Sequence, residues 1–405
     1  MFLPETRGLL RVSACFYLLH ILFQGKIALL ELTSFWAIFF LGWAMVKGQI
    51  RPVWHILYYP LFVYGVISTI SALAAPRRIH QGAEVMLWFK MLIFPTALTL
   101  LTRVPRLRDW AMRAHVVFGV GMATWGLIEY FVFHQQTLEQ RINGPATHVM
   151  TYSGLILPMG LLFFVMWMHE RTWLYGFSTL ITTFALLLTF TRSVWLGWLV
   201  AVAVILLLTR WKWLFFATPA LLLFITFMPQ ALFARFISTF DPTQSSNLDR
   251  IRMLEAGGEM IRDYPLLGVG PANVKEIYPL YKKHDAPRFR PPHLHNNVVQ
   301  IWAERGIVAL CAYLLFLGLF LRECARAWRT PARKCAEAGL AITIGLTYAG
   351  LFEFNWGDTE VFYALLDKYA LVLASIVLVI GELKQPAAEP ALPNEPQPVL
   401  VAGGA

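Results

Sequence analysis

Long runs of hydrophobic residues recur along the chain, separated by short polar stretches. A helix needs roughly 20 apolar residues to cross the hydrocarbon core of a bilayer, and most of these runs approach that length. The short segments of alternating polarity that are typical of membrane β-barrels do not occur in the sequence. The pattern therefore predicts an all-α polytopic membrane protein with about twelve transmembrane helices. The predicted spans are residues 8–23, 27–46, 53–75, 83–101, 110–133, 149–168, 173–190, 194–209, 213–230, 298–321, 340–356 and 361–381.

One polar connection, residues 231–297, is much longer than the others. It contains the segment LDRIRMLEAGGEMIRDYPLLGVGPANV, whose first part places apolar residues on one helical face. We therefore predict an amphipathic helix over residues 248–262, lying on the membrane surface and followed by a glycine-containing loop. Long connections are usually functional, so we look for a site here first; the alternative is a structural cover over the helix ends.

The chain is thus predicted to consist of four parts. They are residues 1–230 with nine spans, the long loop of residues 231–297, residues 298–384 with three spans, and a disordered proline-rich tail of residues 385–405.

Composition agrees with a membrane protein and excludes a water-soluble globule. Of the 405 residues, 58% are hydrophobic and only 14% are charged. The four cysteines all lie outside the long loop, so no disulfide and no cysteine-based metal site is expected there.

The distribution of basic residues predicts the orientation in the membrane. If both termini are cytoplasmic, the short inner loops carry thirteen Lys and Arg residues and the short outer loops carry five, as the positive-inside rule requires. The long loop then lies on the outer side. The formal net charge of +10 is mostly explained by these inner loops, and no nucleic-acid motif accompanies it, so nucleic acid is not a predicted partner.

Several arginines nevertheless lie on the predicted outer side, against that rule. They are Arg77, Arg78, Arg141, Arg192, Arg250, Arg252, Arg288 and Arg290. Guanidinium groups bind phosphate oxygens bidentately and stay charged at any working pH, so the set indicates a diphosphate or phospholipid-like substrate. For any single arginine, the alternative is that the side chain reaches lipid headgroups.

Four sequence segments resemble the O-antigen ligase and O-antigen polymerase superfamily. The stretch HLHNNVVQIWAERG resembles the family's His-Asn-x-x-hydrophobic-Gln-x-x-x-Glu-x-Gly signature, with His295, Asn296, Gln300, Glu304 and Gly306 at the matching positions. The upstream segment resembles the family's arginine, amphipathic helix and Asp-x-Pro-x-x-Gly-x-Gly element, through Arg250, Asp263, Pro265, Gly268 and Gly270. TFTRS and RINGPATH resemble two further elements and contribute Arg192, Arg141 and Gly144.

This resemblance implies a GT-C-type glycosyltransferase of the bacterial inner membrane, acting on the periplasmic face without a cofactor. An O-antigen ligase moves a glycan from undecaprenyl diphosphate to a sugar hydroxyl of the lipid A core, completing lipopolysaccharide. The implied partners are that lipid-linked donor, the lipid A core acceptor and membrane lipids.

The residues fit specific roles in such a reaction. An imidazole with a reference pKa of about 6.5 accepts a proton from a sugar hydroxyl near neutral pH, and we assign this role of general base to His295. A hydroxyl that displaces the diphosphate directly inverts the anomeric carbon. Arg192 and Arg250 are predicted to stabilise the leaving diphosphate. The further predicted substrate-binding residues are Arg77, Arg78, Arg141, Arg288, Asn296 and His293.

Some of these residues also have other interpretations. His293 and His295 form an H-x-H pair that binds a metal if His284, Asp285 or another carboxylate joins it, although we predict no metal. Asn296 can instead cap the tenth span. Glu304 can pair with the following arginine to orient that helix.

Other functions also remain open. The chain is alternatively a polymerase, which transfers a lipid-linked glycan onto another lipid-linked unit, or an oligosaccharyltransferase that modifies a protein hydroxyl. A lipid-linked glycan transporter is a third alternative, but it predicts an internal repeat, and none is found in the sequence. Lys90 lies well inside the fourth span without an assigned partner, because Glu84 is too far along the helix.

Overall fold

The structure is a computed structural model, and its described residues are 8–75, 82–133, 141–241 and 243–384. Within these ranges the chain is helical and contains no β-strand. Arg77, Arg78 and the proline-rich tail lie outside the described residues, so the roles predicted for those two arginines stay predictions.

Sixteen α-helices and three short turns of other helical types make up the described ranges. In chain order the α-helices are α1 (Gly8–Leu22), α2 (Ile27–Val46), α3 (Tyr58–Ala74), α4 (Gly82–Met91), α5 (Ile93–Arg103), α6 (Leu107–Ile128), α7 (Val149–Glu170), α8 (Trp173–Leu188), α9 (Arg192–Thr209), α10 (Leu214–Thr226), α11 (Gln230–Ile237), α12 (Ser245–Asp263), α13 (Val274–Tyr281), α14 (Asn297–Ala327), α15 (Arg333–Ala349) and α16 (Thr359–Lys384).

Every predicted span overlaps at least one helix, but fewer than twelve helical segments of the described chain are long enough to cross a membrane. Seven helical segments of the described chain have the necessary length and hydropathy, or eight if the sharply bent pair formed by α10 with α11 and α12 is one span. The helices α1, α3 and α8 are apolar but shorter. The structure therefore supports a polytopic membrane protein without establishing twelve spans.

The predicted eleventh span differs from the helix that is found. The sequence predicts residues 340–356, whereas α15 runs from Arg333 to Ala349 and residues 350–358 form a loop. The loop is held by the start of α14, because the backbone N–H of Asn297 donates to Gly350 O at 2.7 Å. The side-chain oxygen of Asn297 accepts from the Trp356 N–H at 3.2 Å. The loop thereby lies against the residues that precede α14.

The helices pack as a bundle around an apolar core. Helix α15 lies between α7 and α9, α14 packs on α3, and α16 packs on α5. Helix α10 contains no buried residue, so its apolar side chains are available to lipid. Helices α12 and α13 form a smaller apolar cluster with the loop and first turns of α14. The long predicted loop is therefore largely helical and is anchored on α14.

Buried polar side chains connect α16 to the N-terminal helices. The carboxylate of Asp367 accepts hydrogen bonds from His20 Nε2 at 2.7 Å and from Gln24 Nε2 at 2.5 Å. The other ring nitrogen of His20 lies 2.7 Å from the Ser34 hydroxyl, and Lys368 Nζ lies 3.5 Å from the Gln24 carbonyl oxygen. All five side chains are fully buried. The amide of Gln24 therefore bridges Asp367 and Lys368 within the bundle.

We expect the Asp367→Leu variant to be strongly destabilised, because it removes the acceptor of the His20 and Gln24 hydrogen bonds and leaves Lys368 buried without a nearby anion. Removing one partner of a buried charge pair costs about 3–5 kcal/mol. The double variant Asp367→Leu, Lys368→Met removes both charges and should lose much less stability. The measurement is unfolding of the purified variants in detergent, and equal losses in the single and double variants would contradict the charge-pair interpretation.

Candidate functional site

His295 lies in the loop that leads into α14, and its backbone has a conformation that residues other than glycine rarely adopt. Its φ is +50°, in the left-handed region, so the surrounding contacts must hold it there. One such contact comes from Gln300, whose side-chain oxygen accepts the Leu294 backbone N–H at 2.6 Å. The signature glutamine therefore shapes the loop that presents the histidine.

Asn296 fixes the other side of this loop. Its side-chain oxygen accepts from the Val299 N–H at 2.9 Å and caps the N-terminus of α14. Its amide nitrogen donates to Leu351 O at 2.9 Å, in the loop after α15. Both polar groups of the side chain are thus used within the protein. This geometry favours the capping interpretation of Asn296 over substrate binding.

A carboxylate that the sequence analysis did not select, Glu353, lies between the two histidines. Its Oε2 is 3.0 Å from His295 Nδ1, and its Oε1 is 3.5 Å from His293 Nε2. Burial raises the pKa of Glu353, but the hydrogen bond from His295 and the electrostatic effects of His295, His293 and Arg250 outweigh it and lower the value to about 2. Glu353 is therefore a buried carboxylate ion at neutral pH.

The hydrogen-bond pattern assigns different roles to the two imidazoles. An ionised carboxylate only accepts, so the hydrogen of neutral His295 must lie on Nδ1, which leaves the lone pair of Nε2 free. His293 Nδ1 accepts the His295 backbone N–H at 3.3 Å while its Nε2 faces Glu353. Burial lowers the pKa of His293 to about 4, against the opposing effect of Glu353. His295 therefore carries the available basic nitrogen.

Two cavities meet at His295. The first, the apolar cavity, has a volume of about 300 Å³ and is lined by Arg192, Arg250 and His295 together with Leu196, Leu254 and Phe352, among others. The second, the polar cavity, has a volume of about 460 Å³ and is lined by Arg141, His148, Arg288, His293, His295 and Asp358, among others. Residues that are far apart in the sequence are thus assembled around one imidazole.

The guanidinium of Arg192, at the start of α9, is already well supplied with acceptors. Nη1 donates to Ser238 and Gln244 oxygens, and Nη2 donates to Ser246 Oγ and Asn247 Oδ1, with distances of 2.6–3.2 Å. All of these acceptors are neutral, and they lie between the end of α11 and the first turn of α12. Arg192 therefore organises this segment as well as lining the apolar cavity.

Arg250 differs from Arg192 in its hydrogen bonding. Its Nε is buried and makes no hydrogen bond within the described part of the chain. The side chain lies near the charge of Glu353 and that of Arg288, which pairs with Asp249 at 3.0 Å. Of the two arginines that line the apolar cavity, Arg250 is the one with hydrogen-bonding capacity left for a ligand.

Positive charge is concentrated on this side of the site. Arg141 donates to Thr189 O at 2.8 Å and to Thr191 Oγ1 at 2.6 Å. Burial, together with the neighbouring positive charges of Arg235 and Arg250, lowers the pKa of Arg141 to about 10. Arg235, which the sequence analysis also did not select, donates to Phe190 O at 3.2 Å. These arginines remain charged at neutral pH, so this side of the site favours an anionic ligand.

The remaining signature residues hold the long loop on α14. The N–H groups of Val269 and Gly270 donate to the carbonyl oxygens of Ala303 and Glu304 at 2.8 and 2.9 Å. The Glu304 carboxylate is buried and contacts Arg305 NH1 at 2.6 Å and the Ala272 N–H at 2.9 Å. These bonds support the structural interpretation of Glu304.

Asp285 and Lys90 both have partners within the protein. Asp285, a proposed partner of the H-x-H pair, instead pairs with Arg252 at 2.6 Å. Lys90 donates to the Thr359 hydroxyl at 2.7 Å, at the start of α16.

The sequence contains a signal that could have identified Glu353, because an acidic residue inside an apolar segment is usually functional or paired.

Comparison with known protein families supports the resemblance found in the sequence. A family model described as O-antigen ligase matches residues 177–314. The comparison with individual curated proteins gives no match. The matched region contains Arg192, Arg250 and His295, whereas Arg141 and Glu353 lie outside it. The match confirms the predicted resemblance to the O-antigen ligase superfamily and does not separate a ligase from a polymerase.

Gly306 should be essential for anchoring the loop, because its φ is +80° and a Cβ there would lie 1.8 Å from Leu266 O. We expect Gly306→Ala to separate the loop from α14 and to lower the unfolding temperature markedly. Gly258→Ala is the matched control, since a Cβ there meets nothing within 4 Å in α12. Thermal unfolding and limited proteolysis of both variants provide the measurement, and similar behaviour of the two would contradict this role of Gly306.

Proposed function

We propose that the protein is an O-antigen ligase, which transfers a glycan from undecaprenyl diphosphate to a sugar hydroxyl of the lipid A core. The observation that carries the proposal is the position of His295, whose imidazole lines both the apolar and the polar cavity. A transferase of this kind must hold two amphiphilic substrates on either side of one base. The match to the O-antigen ligase family supports the same reaction class.

The acceptor is assigned to the polar cavity. Its hydroxyl gives its proton to His295 Nε2, and the acceptor oxygen attacks the anomeric carbon of the donor glycan. Glu353 keeps the other nitrogen protonated and stabilises the imidazolium that forms. The bond from the anomeric carbon to the diphosphate breaks on the opposite face, so the reaction inverts the configuration of that carbon.

The donor diphosphate is assigned to the arginine side of the apolar cavity. Arg250 offers its unused Nε–H to the leaving phosphate oxygens, in a cavity that is partly lined by apolar side chains. Arg192 contributes positive charge and holds the segment between α11 and α12 in place. Guanidinium groups supply the charge neutralisation, so this mechanism needs no metal ion.

We also infer that the site faces the periplasm from the inner membrane, with both termini in the cytoplasm. Arg192 and Asn297 begin α9 and α14 beside the site, whereas basic residues such as Arg210 and Arg326 follow or end these helices at the opposite side of the bundle. That arrangement agrees with the positive-inside rule.

The proposal is tested by incubating purified protein with an undecaprenyl-diphosphate glycan and a lipid A core acceptor, with chelator and without ATP. Glycan on the core supports the ligase. Chains that grow on the undecaprenyl carrier would instead assign the protein as a polymerase. If neither product forms but the lipid-linked glycan is redistributed between the leaflets of vesicles, the transporter alternative is correct.

We expect His295→Ala to fold and to lose about 10²–10⁴-fold in the rate of glycan transfer, because a positioned base contributes that much. The matched control is His284→Ala, which changes an exposed histidine outside both cavities and should transfer glycan normally. The measurement is the initial rate of labelled glycan transfer to the core. Near-normal transfer by His295→Ala would remove this base from the mechanism.

The two cavity arginines should respond differently to replacement by lysine. Arg250→Lys should reduce transfer by about 10²-fold or more, with little loss of stability, because an ammonium cannot reproduce the bidentate contact. Arg192→Lys should reduce both transfer and stability, because it breaks the hydrogen bonds to the segment after α11. Arg262→Lys, an exposed change near the end of α12, serves as the control. Transfer rates and thermal unfolding are measured together, and equal stability losses for the two cavity variants would contradict this distinction.

A further inference from the structure

His293, His295 and Glu353 are close enough together to share one metal ion. One possible ligand atom from each residue lies within 4.8 Å of the other two. The imidazole rings have their centroids 4.3 Å apart, and Glu353 faces one nitrogen of each ring. We propose that this triad binds Zn²⁺ reversibly and that the bound ion inhibits the enzyme.

The distances fit zinc coordination. Zinc binds imidazole nitrogen and carboxylate oxygen at about 2.0–2.2 Å, which places neighbouring ligands of a tetrahedral ion about 3.4 Å apart. His295 Nδ1 lies 3.0 Å from Oε2 of Glu353, and His293 Nε2 lies 3.5 Å from Oε1, so the two imidazoles approach different carboxylate oxygens. One ligand atom from each residue lies within 4.8 Å of the other two, so small side-chain rotations would complete three corners of a tetrahedron. The fourth position is left for water or a substrate oxygen in the polar cavity.

The ligand set selects against magnesium and calcium. Magnesium and calcium require several oxygen ligands, whereas the triad offers one carboxylate and two imidazoles. The nearby Arg250 also opposes any cation, so the ion must gain its binding energy from direct bonds to nitrogen. When zinc binds His293 Nε2, the hydrogen of the neutral ring must lie on Nδ1. Nδ1 can then no longer accept the His295 backbone N–H, and the 3.3 Å hydrogen bond is lost. These costs predict weak, reversible binding.

The proposed inhibition rests on the proposed function of His295. A metal ion at Nδ1 replaces the hydrogen that now faces Glu353, and a neutral imidazole ligand then carries its hydrogen on Nε2. The nitrogen that accepts the proton of the sugar hydroxyl becomes a donor. No net proton is released from the ring, and the base is lost without any change in the fold.

The binding site is tested on the purified full-length protein without a polyhistidine tag. Zinc chloride is titrated against a fluorescent zinc chelator, and Co²⁺ is used as a spectroscopic substitute that absorbs strongly in tetrahedral coordination. We expect one zinc per chain. Glu353→Gln and His293→Gln should each weaken binding by more than about tenfold. Glu276→Gln is the control outside the triad and should bind zinc normally.

Thermal unfolding of each variant shows whether it is folded, and His293→Gln provides a second test if Glu353→Gln is not. Zinc binding that is unchanged in both folded triad variants, or absent in the wild type, overturns the proposal. Both outcomes are independent of enzymatic activity, so failure of the ligase assay does not affect them.

Inhibition is tested separately by measuring glycan transfer with increasing zinc. We expect transfer to fall as the site fills and to return when chelator is added, whereas magnesium at the same concentrations should have no effect. Full transfer by a zinc-saturated enzyme would overturn the inhibitory role. If the zinc-free enzyme transfers no glycan, the proposed function fails, while the titration still decides the metal site.

Discussion

The contact between Glu353 and His295 is the interaction on which the site depends. It joins the loop after α15 to the loop before α14, across 58 residues of sequence. The loop that carries Glu353 is itself fixed by hydrogen bonds to Asn296 and Asn297. A buried carboxylate ion is expensive to desolvate unless charged or hydrogen-bonding groups surround it. The histidines and Arg250 meet this need, and the same contacts set the tautomer and orientation of His295.

The arginines of the site divide according to whether their hydrogen bonds are used. Arg192 and Arg141 have several protein acceptors and therefore add to the stability of the segments that they join. Arg250 retains unused hydrogen-bonding capacity, and burying such a group without a partner lowers stability. A ligand with negatively charged oxygens would remove that cost. Functional sites commonly contain groups of this kind, because binding energy is available only where the protein leaves an interaction unmade.

Much of the fold could be predicted because each hydrophobic run determines a local helix. Prediction of the fold fails where a hydrophobic run contains polar residues whose partners are distant in the sequence. The predicted span 340–356 included Glu353 because the segment is largely apolar, but asparagines that begin α14 hold residues 350–358 as a loop. His295, Arg192 and Arg250 could be selected from local motifs. Glu353 and Arg235 could not be assigned roles in this way, since only the folded chain brings them to the other site residues.

The anchoring of α12 and α13 on α14 explains how a long connection can form a rigid site. Gly306 interrupts α14 and lets the backbone at Leu266 approach closely, Gly268 lies against the backbone of Glu304, and the Gly270 N–H donates to Glu304 O. These contacts hold α12, and therefore Arg250, in a fixed position relative to His295. By contrast, α10 has no buried residue and can adjust to lipid. The chain thus combines a preorganised polar centre with a lipid-facing helix, an arrangement suited to chemistry on amphiphilic substrates.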